Sequence, residues 1–252
     1  VSAHEKYLIL GRGYTGRVLE KRLREKIPSA TLQSTNRRGT EHAIAFDLLE
    51  PATWNQVPQS PTVFWTFACD NLEAAKNFFD SRLQNTERLV VISSTGFFVH
   101  QDDFTVNEST AVDLENPRVQ VEEWLRLQGA CIIHAAGIYG PQRNPLDWYR
   151  RGMIRNLNKW LNLIHVQDLS RILIAAAEHK ELQSMRLIAA DSHPLLWTDI
   201  ARQWIDASLP LSSGPRAGKR VDASRTLDLL KLQLQYPSLE AGLLELGERP
   251  KI

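Results

Sequence analysis

Residues 6–26, KYLILGRGYTGRVLEKRLREK, constrain this chain more than any other stretch. Tyr7, Leu8, Ile9 and Leu10 form a short apolar run, Gly11, Gly13 and Gly16 follow as G-x-G-x-x-G, and Val18, Leu19 and Leu23 continue at helical spacing. That order reads as strand, tight turn and helix. In such a unit the first glycine permits the turn and the second lets backbone approach a pyrophosphate. The third lets the helix pack on the strand. Peptide N–H groups at the helix start then favour an anion. Gly11, Gly13, Tyr14, Thr15 and Gly16 are therefore candidate dinucleotide contacts, against the plainer reading of an ordinary glycine-rich turn.

The next strand sharpens the expectation. Ala30–Thr35 reads as β-structure, and its end normally carries an acid for the ribose hydroxyls of NAD. This chain has Ser34, Thr35, Asn36, Arg37 and Arg38 there instead. Guanidinium groups with amide and hydroxyl neighbours suit a 2′-phosphate, so Asn36, Arg37 and Arg38 point to NADP, with NAD the lesser alternative. Residues 43–48 read as a third strand. It ends in Asp47 and Leu48, with Asp47 either accepting from an adenine amino group or capping the next turn.

Val63–Ala68 is a near-continuous apolar run, expected to be a strand buried on both faces, and it includes Thr66. A helix is expected over Leu72–Leu83, a fifth strand over Leu89–Ile92 that runs into Ser93-Ser94-Thr95-Gly96, and a sixth over Ala130–Ala136. Strands alternating with helices predict an α/β fold: a Rossmann doubly wound parallel sheet, with a small C-terminal α/β lobe. Ligands of such sheets sit at the carboxyl ends of the strands, which places the glycine turn, Arg37, Asp47, Thr66 and Ser94 along one rim. Residues 1–140 with about 163–190 are expected to form the cofactor domain. Residues of about 141–162 with 191–252 are expected to form the substrate lobe.

Composition narrows the partners. The 252 residues carry 30 basic and 29 acidic side chains, for a net charge of +1, with the two signs interspersed. Nothing in that balance suggests a nucleic-acid surface or an acidic tail. Cys69 and Cys131 lie in or beside apolar runs and read as buried thiols. No histidine grouping has metal-ligand spacing. No apolar stretch approaches the roughly 18 residues of a membrane span, so the expectation is a cytoplasmic protein, monomer or homodimer. Trp148, Tyr149, Arg150, Arg151 and Arg155 form a segment suited to closing over a substrate. Lys219-Arg220-Val221 is expected to lead a last helix through Leu234.

With these stretches in view the sequence resembles the extended and atypical short-chain dehydrogenases. It is similar to the NAD-dependent epimerase/dehydratase group that acts on nucleoside-diphosphate sugars, and within it to YeeZ-like members. GRGYTG at 11–16, FDL at 46–48, ISSTGFF at 92–98, AAGIYGPQRNPL at 135–146, IHVQDL at 164–169, KRVDASRTLDLL at 219–230 and YPSLEAGL at 236–243 carry the likeness. It implies a nicotinamide cofactor and a small polar substrate, with nucleotide sugars as one class. It also implies that Ser94, with Thr95 beside it, hydrogen-bonds the reacting oxygen. The family's Tyr-x-x-x-Lys pair has no counterpart at 113–123, where neither residue occurs. Phe98 stands where the local S-x-x-x-Y-G pattern has tyrosine. Tyr139 is the nearest substitute acid, against a packed loop tyrosine. A catalytically silent NADP(H) sensor is the rival reading.

Overall fold

The computed structural model describes residues 5–211 and 213–251. Its frame is a seven-stranded sheet. In chain order the strands are β1 (Lys6–Leu10), β2 (Thr31–Asn36), β3 (Ile44–Ala45), β4 (Thr62–Trp65), β5 (Arg88–Ser94), β6 (Cys131–Ala135) and β7 (Arg186–Ala189). In space they lie β7-β6-β5-β4-β1-β2-β3. Pairing is parallel, with Leu8 opposite Gln33 on one side of β1 and Ile9 opposite Phe64 on the other. Helices α1 (Tyr14–Lys26), α2 (Leu72–Phe78), α3 (Pro117–Leu127) and α4 (Val166–Glu178) alternate with the strands. The chain order reverses beside β1, between β2 and β4, and ligands of doubly wound sheets bind at such a switch point.

The sheet is buried on both faces, as its apolar runs require. Leu8, Leu10, Val63, Trp65, Leu89, Val91 and Ile132 alternate onto one side with Phe46, Trp54 and Phe78. The Phe46 and Phe78 rings meet at a tilt of 41°, with 4.8 Å between their centroids. Ile9, Phe64, Val90 and Ile133 are the intervening buried residues. Each such side chain contributes roughly 1.5–3 kcal/mol on leaving water.

By contacts the chain divides into two compact units. One takes the chain up to Phe97, Asp113–His134 and Ser170–Leu187; the other takes Phe98–Val112, Ala135–Leu169 and the chain from Ile188 onward. The second unit has its own core of Tyr139, Leu146, Leu163, Trp197, Ile200, Trp204, Leu239 and Leu243. Its short strands pair Gly137–Tyr139 with Leu163–His165, and Arg220–Val221 with Thr105–Val106. No described helix is long and apolar enough to cross a membrane.

Three elements differ from the expectation. The third strand is only Ile44–Ala45, because the Asp47 carboxylate accepts from the Leu49 N–H and turns the chain into a 3₁₀ segment at Pro51–Gln56. The helix from Leu72 ends as α-helix at Phe78 and finishes as a wider π turn over Phe79–Leu83. Lys219-Arg220-Val221 does lead a helix, but as a strand: Arg220 and Val221 pair with Thr105 and Val106 after Gly218 at φ +75°, and the helix that follows spans only Ser224–Leu229 and stops short of Leu234.

Candidate functional site

The glycine turn is tied down on three sides. Gly11 sits at φ +98°, where side chains are disfavoured. Its N–H donates to Thr35 Oγ1 at 3.1 Å and its carbonyl accepts from Thr66 Oγ1 at 2.6 Å. Thr66 thus serves the turn from below. A Cβ on Gly16 would lie 2.2 Å from the Gly11 carbonyl oxygen, so the third glycine permits the close approach of helix and turn. Gly13 is the opposite case. A Cβ there would meet nothing within 4 Å, so the space over the second glycine is open. Gly13 is also the N-cap of α1, with no side chain capping the helix and no acid in its first turn. An open N-terminus of this kind suits a phosphate.

Beside the turn lies a cavity of about 430 Å³, lined by Gly11, Arg12, Gly13, Thr35, Asn36, Arg37, Phe46, Asp47, Leu48, Leu49, Phe67, Ala68, Cys69, Asp70 and Asn71. Its volume is within the range of small-molecule sites. Phe46, Leu48, Leu49 and Phe67 supply apolar walls for a flat ring, and Arg12, Asn36 and Arg37 supply polar groups. The residues fit a dinucleotide: an open cradle over Gly13, an uncapped helix, and cations at the end of β2. Of the residues named from the sequence, Gly11, Gly13, Asn36, Arg37, Asp47 and Leu48 line this space together. Tyr14, Thr15 and Gly16 form the first turn of α1. Arg38 is exposed, and its N–H donates to Asn36 Oδ1 at 3.0 Å.

Asp47 does two things at once. Oδ1 caps its own turn at Leu49 N, 3.0 Å away, and Oδ2 lies 3.6 Å from Arg37 Nε. Arg12 was not singled out from the sequence. It lines the cavity, and its Nε is held by Glu20, which is only 5 % exposed and also accepts from Arg24 at 3.0 Å. The available signal was an arginine between the first two glycines, two helical turns before an acid.

Ser94 and Thr95 end β5 and open the next turn, where the Gly96 N–H donates to Ser94 Oγ at 3.0 Å. His134 lies on the neighbouring strand, 3.2 Å from the Ser94 carbonyl oxygen. Burial first holds its pKa down to about 4, so the ring is neutral at pH 7. Where the Tyr-x-x-x-Lys pair is missing, the first turns of α3 hold Arg118 and Glu122 instead. Arg118 donates Nε to Glu122 at 2.7 Å and Nη2 to the Ile92 carbonyl at 3.0 Å, and it covers the Phe97 ring. Glu122 is 4 % exposed and accepts from Ser93 Oγ. Its pKa is raised, burial outweighing Ser93 and Arg118.

Tyr139 belongs to the second unit. It is fully buried, donates its hydroxyl to the Ser238 carbonyl at 3.3 Å, and packs edge-on to His165. Burial pushes its phenol well above the ordinary value. Gly242 makes room for it, since a Cβ there would fall 2.1 Å from the tyrosine oxygen. Asp168, also buried, accepts from the Gln235 and Tyr236 N–H groups at 2.8 and 2.7 Å. Arg150 is committed to Glu248 through two bonds of 2.9 Å. Among the described residues, no cluster of His, Cys, Asp and Glu could hold a metal ion.

No family model and no curated protein matches the chain. Solved structures do. A candidate NAD-dependent epimerase/dehydratase from Methylobacillus flagellatus aligns over 97 % of this chain and 98 % of its own at 20 % identity, with a TM-score of 0.79. MoeE5, solved with UDP-glucose and NAD, aligns over 95 % and 97 % at 16 % identity, with a TM-score of 0.71. The human epimerase family protein SDR39U1 (isoform 2), solved with NADPH, aligns over 95 % and 98 % at 15 % identity, with a TM-score of 0.71. These likenesses concern architecture: over at least 95 % of its length the chain has the fold of these short-chain dehydrogenase and epimerase/dehydratase structures.

Proposed function

We propose that this protein binds a nicotinamide dinucleotide in the cavity beside the glycine turn, NADP(H) in preference to NAD(H), and uses it in an oxidoreductase or epimerase-like reaction on a small polar substrate. The observation that carries the reading is the open space over Gly13 at the uncapped start of α1, with Arg37 across the cavity at the end of β2. The pyrophosphate would rest over Gly13 and the adenine between the apolar walls. Arg37 would take the 2′-phosphate. The MoeE5 and SDR39U1 structures, with NAD and NADPH respectively, support the cofactor class. MoeE5 with UDP-glucose makes nucleotide sugars the first substrates to try. The nicotinamide supplies or accepts hydride when bound. Ser94 and Thr95 would polarise the reacting oxygen, and water would carry the proton, because Tyr139 is engaged in the core of its own unit.

The test is a titration of the purified protein with NADPH and with NADH, followed by nicotinamide fluorescence. The expected result is saturable binding of NADPH, with NADH about tenfold or more weaker for one lost charge-assisted contact. No binding of either ends the reading.

A second reading, a dinucleotide-binding sensor without chemistry, is favoured by one observation. Arg118 and Glu122 occupy the start of α3 as a closed pair. NADPH binding with no turnover across a nucleotide-sugar and carbonyl-substrate panel would select it.

A further inference from the structure

The second unit buries an amine with no carboxylate paired to it. Lys219 is 9 % exposed, and among the described residues it makes no ion pair. Its backbone is pinned: Asn162 Nδ2 donates to the Lys219 carbonyl at 2.8 Å, and the Val221 N–H donates to Asn162 Oδ1 at 2.7 Å. Cations surround this stretch. Lys159 has its backbone bridged to Ala217, and its Cγ and Cε lie 3.5 Å from where a Cβ on Gly218 would fall. The guanidinium carbons of Arg216 and Arg220 lie 5.1 and 5.6 Å from the ring centre of Trp160, the residue after Lys159. The acids of the same stretch are committed elsewhere. Asp102 accepts from the Gly218 N–H at 2.7 Å and Asp222 from the Ser224 N–H at 2.9 Å. Asp103 accepts from Trp160 Nε1 at 2.7 Å and faces Arg220 at 3.7 Å.

These surroundings favour the uncharged amine. Burial, and then the charge of Lys159, lower the Lys219 pKa to about 8, whereas an exposed lysine keeps its proton to about 10.4. A lysine desolvated beside another cation is an activated nucleophile. The same surroundings choose the electrophile. An imine with an aldehyde or ketone takes up a proton and puts positive charge back among the cations. A carbamate puts negative charge there, and neighbouring opposite charges favour that ionised product.

We propose that Lys219 is a carbamylation site that takes up carbon dioxide reversibly. The Nζ lone pair attacks the carbon, an N–C bond forms as one C–O π bond opens onto oxygen, and the proton leaves Nζ for solvent. Nothing is oxidised or reduced, and carbon dioxide is the sole co-reactant. The step turns an unpaired cation into an anion in the field of Lys159, Arg216 and Arg220. The site uses none of the residues of the dinucleotide cavity, so it stands or falls apart from that reading.

The experiment equilibrates the full chain with ¹³C-bicarbonate at about pH 8, with ionic strength held by chloride and without nucleotide. The carbamate is read by its carbonyl resonance, then trapped by O-alkylation with triethyloxonium and located by peptide mass spectrometry. Lys219 should carry at least about tenfold more adduct than any other lysine, because its free-amine fraction is higher by more than that factor. Occupancy should rise through a midpoint of about 8. Lys219→Met should remove the signal, and Lys159→Met should lower it, since the amine then holds its proton more tightly and the positive field is weaker. If Lys219→Met does not fold, Lys219→Arg decides in its place, because a guanidinium keeps the charge and stays protonated. No adduct on Lys219, adduct spread evenly over the lysines, or a signal that persists in the Lys219 variants would overturn the proposal.

Discussion

Arg37 Nε lies 3.6 Å from Asp47 Oδ2, which joins the loop after β2 to the turn after β3 beside the candidate dinucleotide cavity. Arg37 is 83 % exposed at its side chain, so the pair contributes little to folding. Its interest is in binding, since the same guanidinium cannot serve Asp47 and a 2′-phosphate equally. Arg37→Ala should weaken NADPH by about 10- to 100-fold, the span of one or two charge-assisted bonds, and leave NADH and the melting temperature nearly unchanged. Asp47→Asn keeps the cap to Leu49 and removes the competing charge, so NADPH should tighten relative to NADH. Parallel titrations of both variants check this, and equal losses for both cofactors in Arg37→Ala would remove the 2′-phosphate argument.

The glycines make a second, separable prediction. Gly13 has open space above it, whereas a Cβ on Gly16 would fall 2.2 Å from the Gly11 carbonyl oxygen. Gly13→Ala should therefore fold with a melting temperature close to wild type and lose at least about tenfold in dinucleotide affinity, because the methyl occupies the phosphate approach. Gly16→Ala should lower stability by about 1–3 kcal/mol through forced overpacking. Thermal melts paired with cofactor titrations distinguish the two. A Gly13→Ala protein that binds as wild type does would sink the cradle.

These contrasts mark how far the sequence could be read. The parallel sheet was legible because each strand is a short apolar run and the helices between them carry their own period. The glycine turn was legible because its spacing records backbone geometry directly. Residues 44–48 were not, since whether Asp47 ends a strand or caps a turn is settled by Trp54 and Thr53, whose side chains bond the Asp47 carbonyl from the following segment. Arg12 was missed because its placement depends on Glu20, and only the coiled path of α1 brings that acid back to the turn. Lys219 read as the head of a helix because composition does not reveal that Gly218 turns at positive φ and that Val221 pairs with Val106.

Asp191 gives a pH prediction with a definite sign. It is 4 % exposed, Oδ1 accepts from the His193 N–H at 3.0 Å, and Oδ2 is buried without a hydrogen-bond partner among the described residues. Burial raises its pKa to about 7, His193 only partly offsetting this. The folded state then holds a proton that the unfolded state releases near its ordinary value. Its contribution is present at low pH and is lost as pH rises from about 4 through about 7. Asp191→Asn removes the titration, so its stability relative to wild type should grow between pH 5 and pH 8. His134 and His165, both held down to about 4 by burial, act in the opposite sense in both proteins. Their effect is lost stability as pH falls from about 6.5 to about 4, and it cancels in the comparison. Urea midpoints for the two proteins across that range decide it; a constant difference would show Asp191 to be ionised throughout.

Arg118 decides whether the start of α3 is framework or machinery. Its Nε donates to Glu122 and its Nη2 to the Ile92 carbonyl, so one planar fork joins the helix to the end of β5. Lysine cannot make both bonds in that geometry. Arg118→Ala leaves Glu122 buried with only Ser93 to oppose its charge, and should cost about 3 kcal/mol. Arg118→Lys should recover less than half of that loss. The double variant Arg118→Leu with Glu122→Leu should recover more than the lysine does, since removing a buried pair together avoids a stranded charge. Chemical denaturation of the three variants measures each step. If Arg118→Ala instead folds as stably as wild type, the guanidinium is not holding the framework and becomes the first candidate for the positive charge that the missing lysine would have supplied.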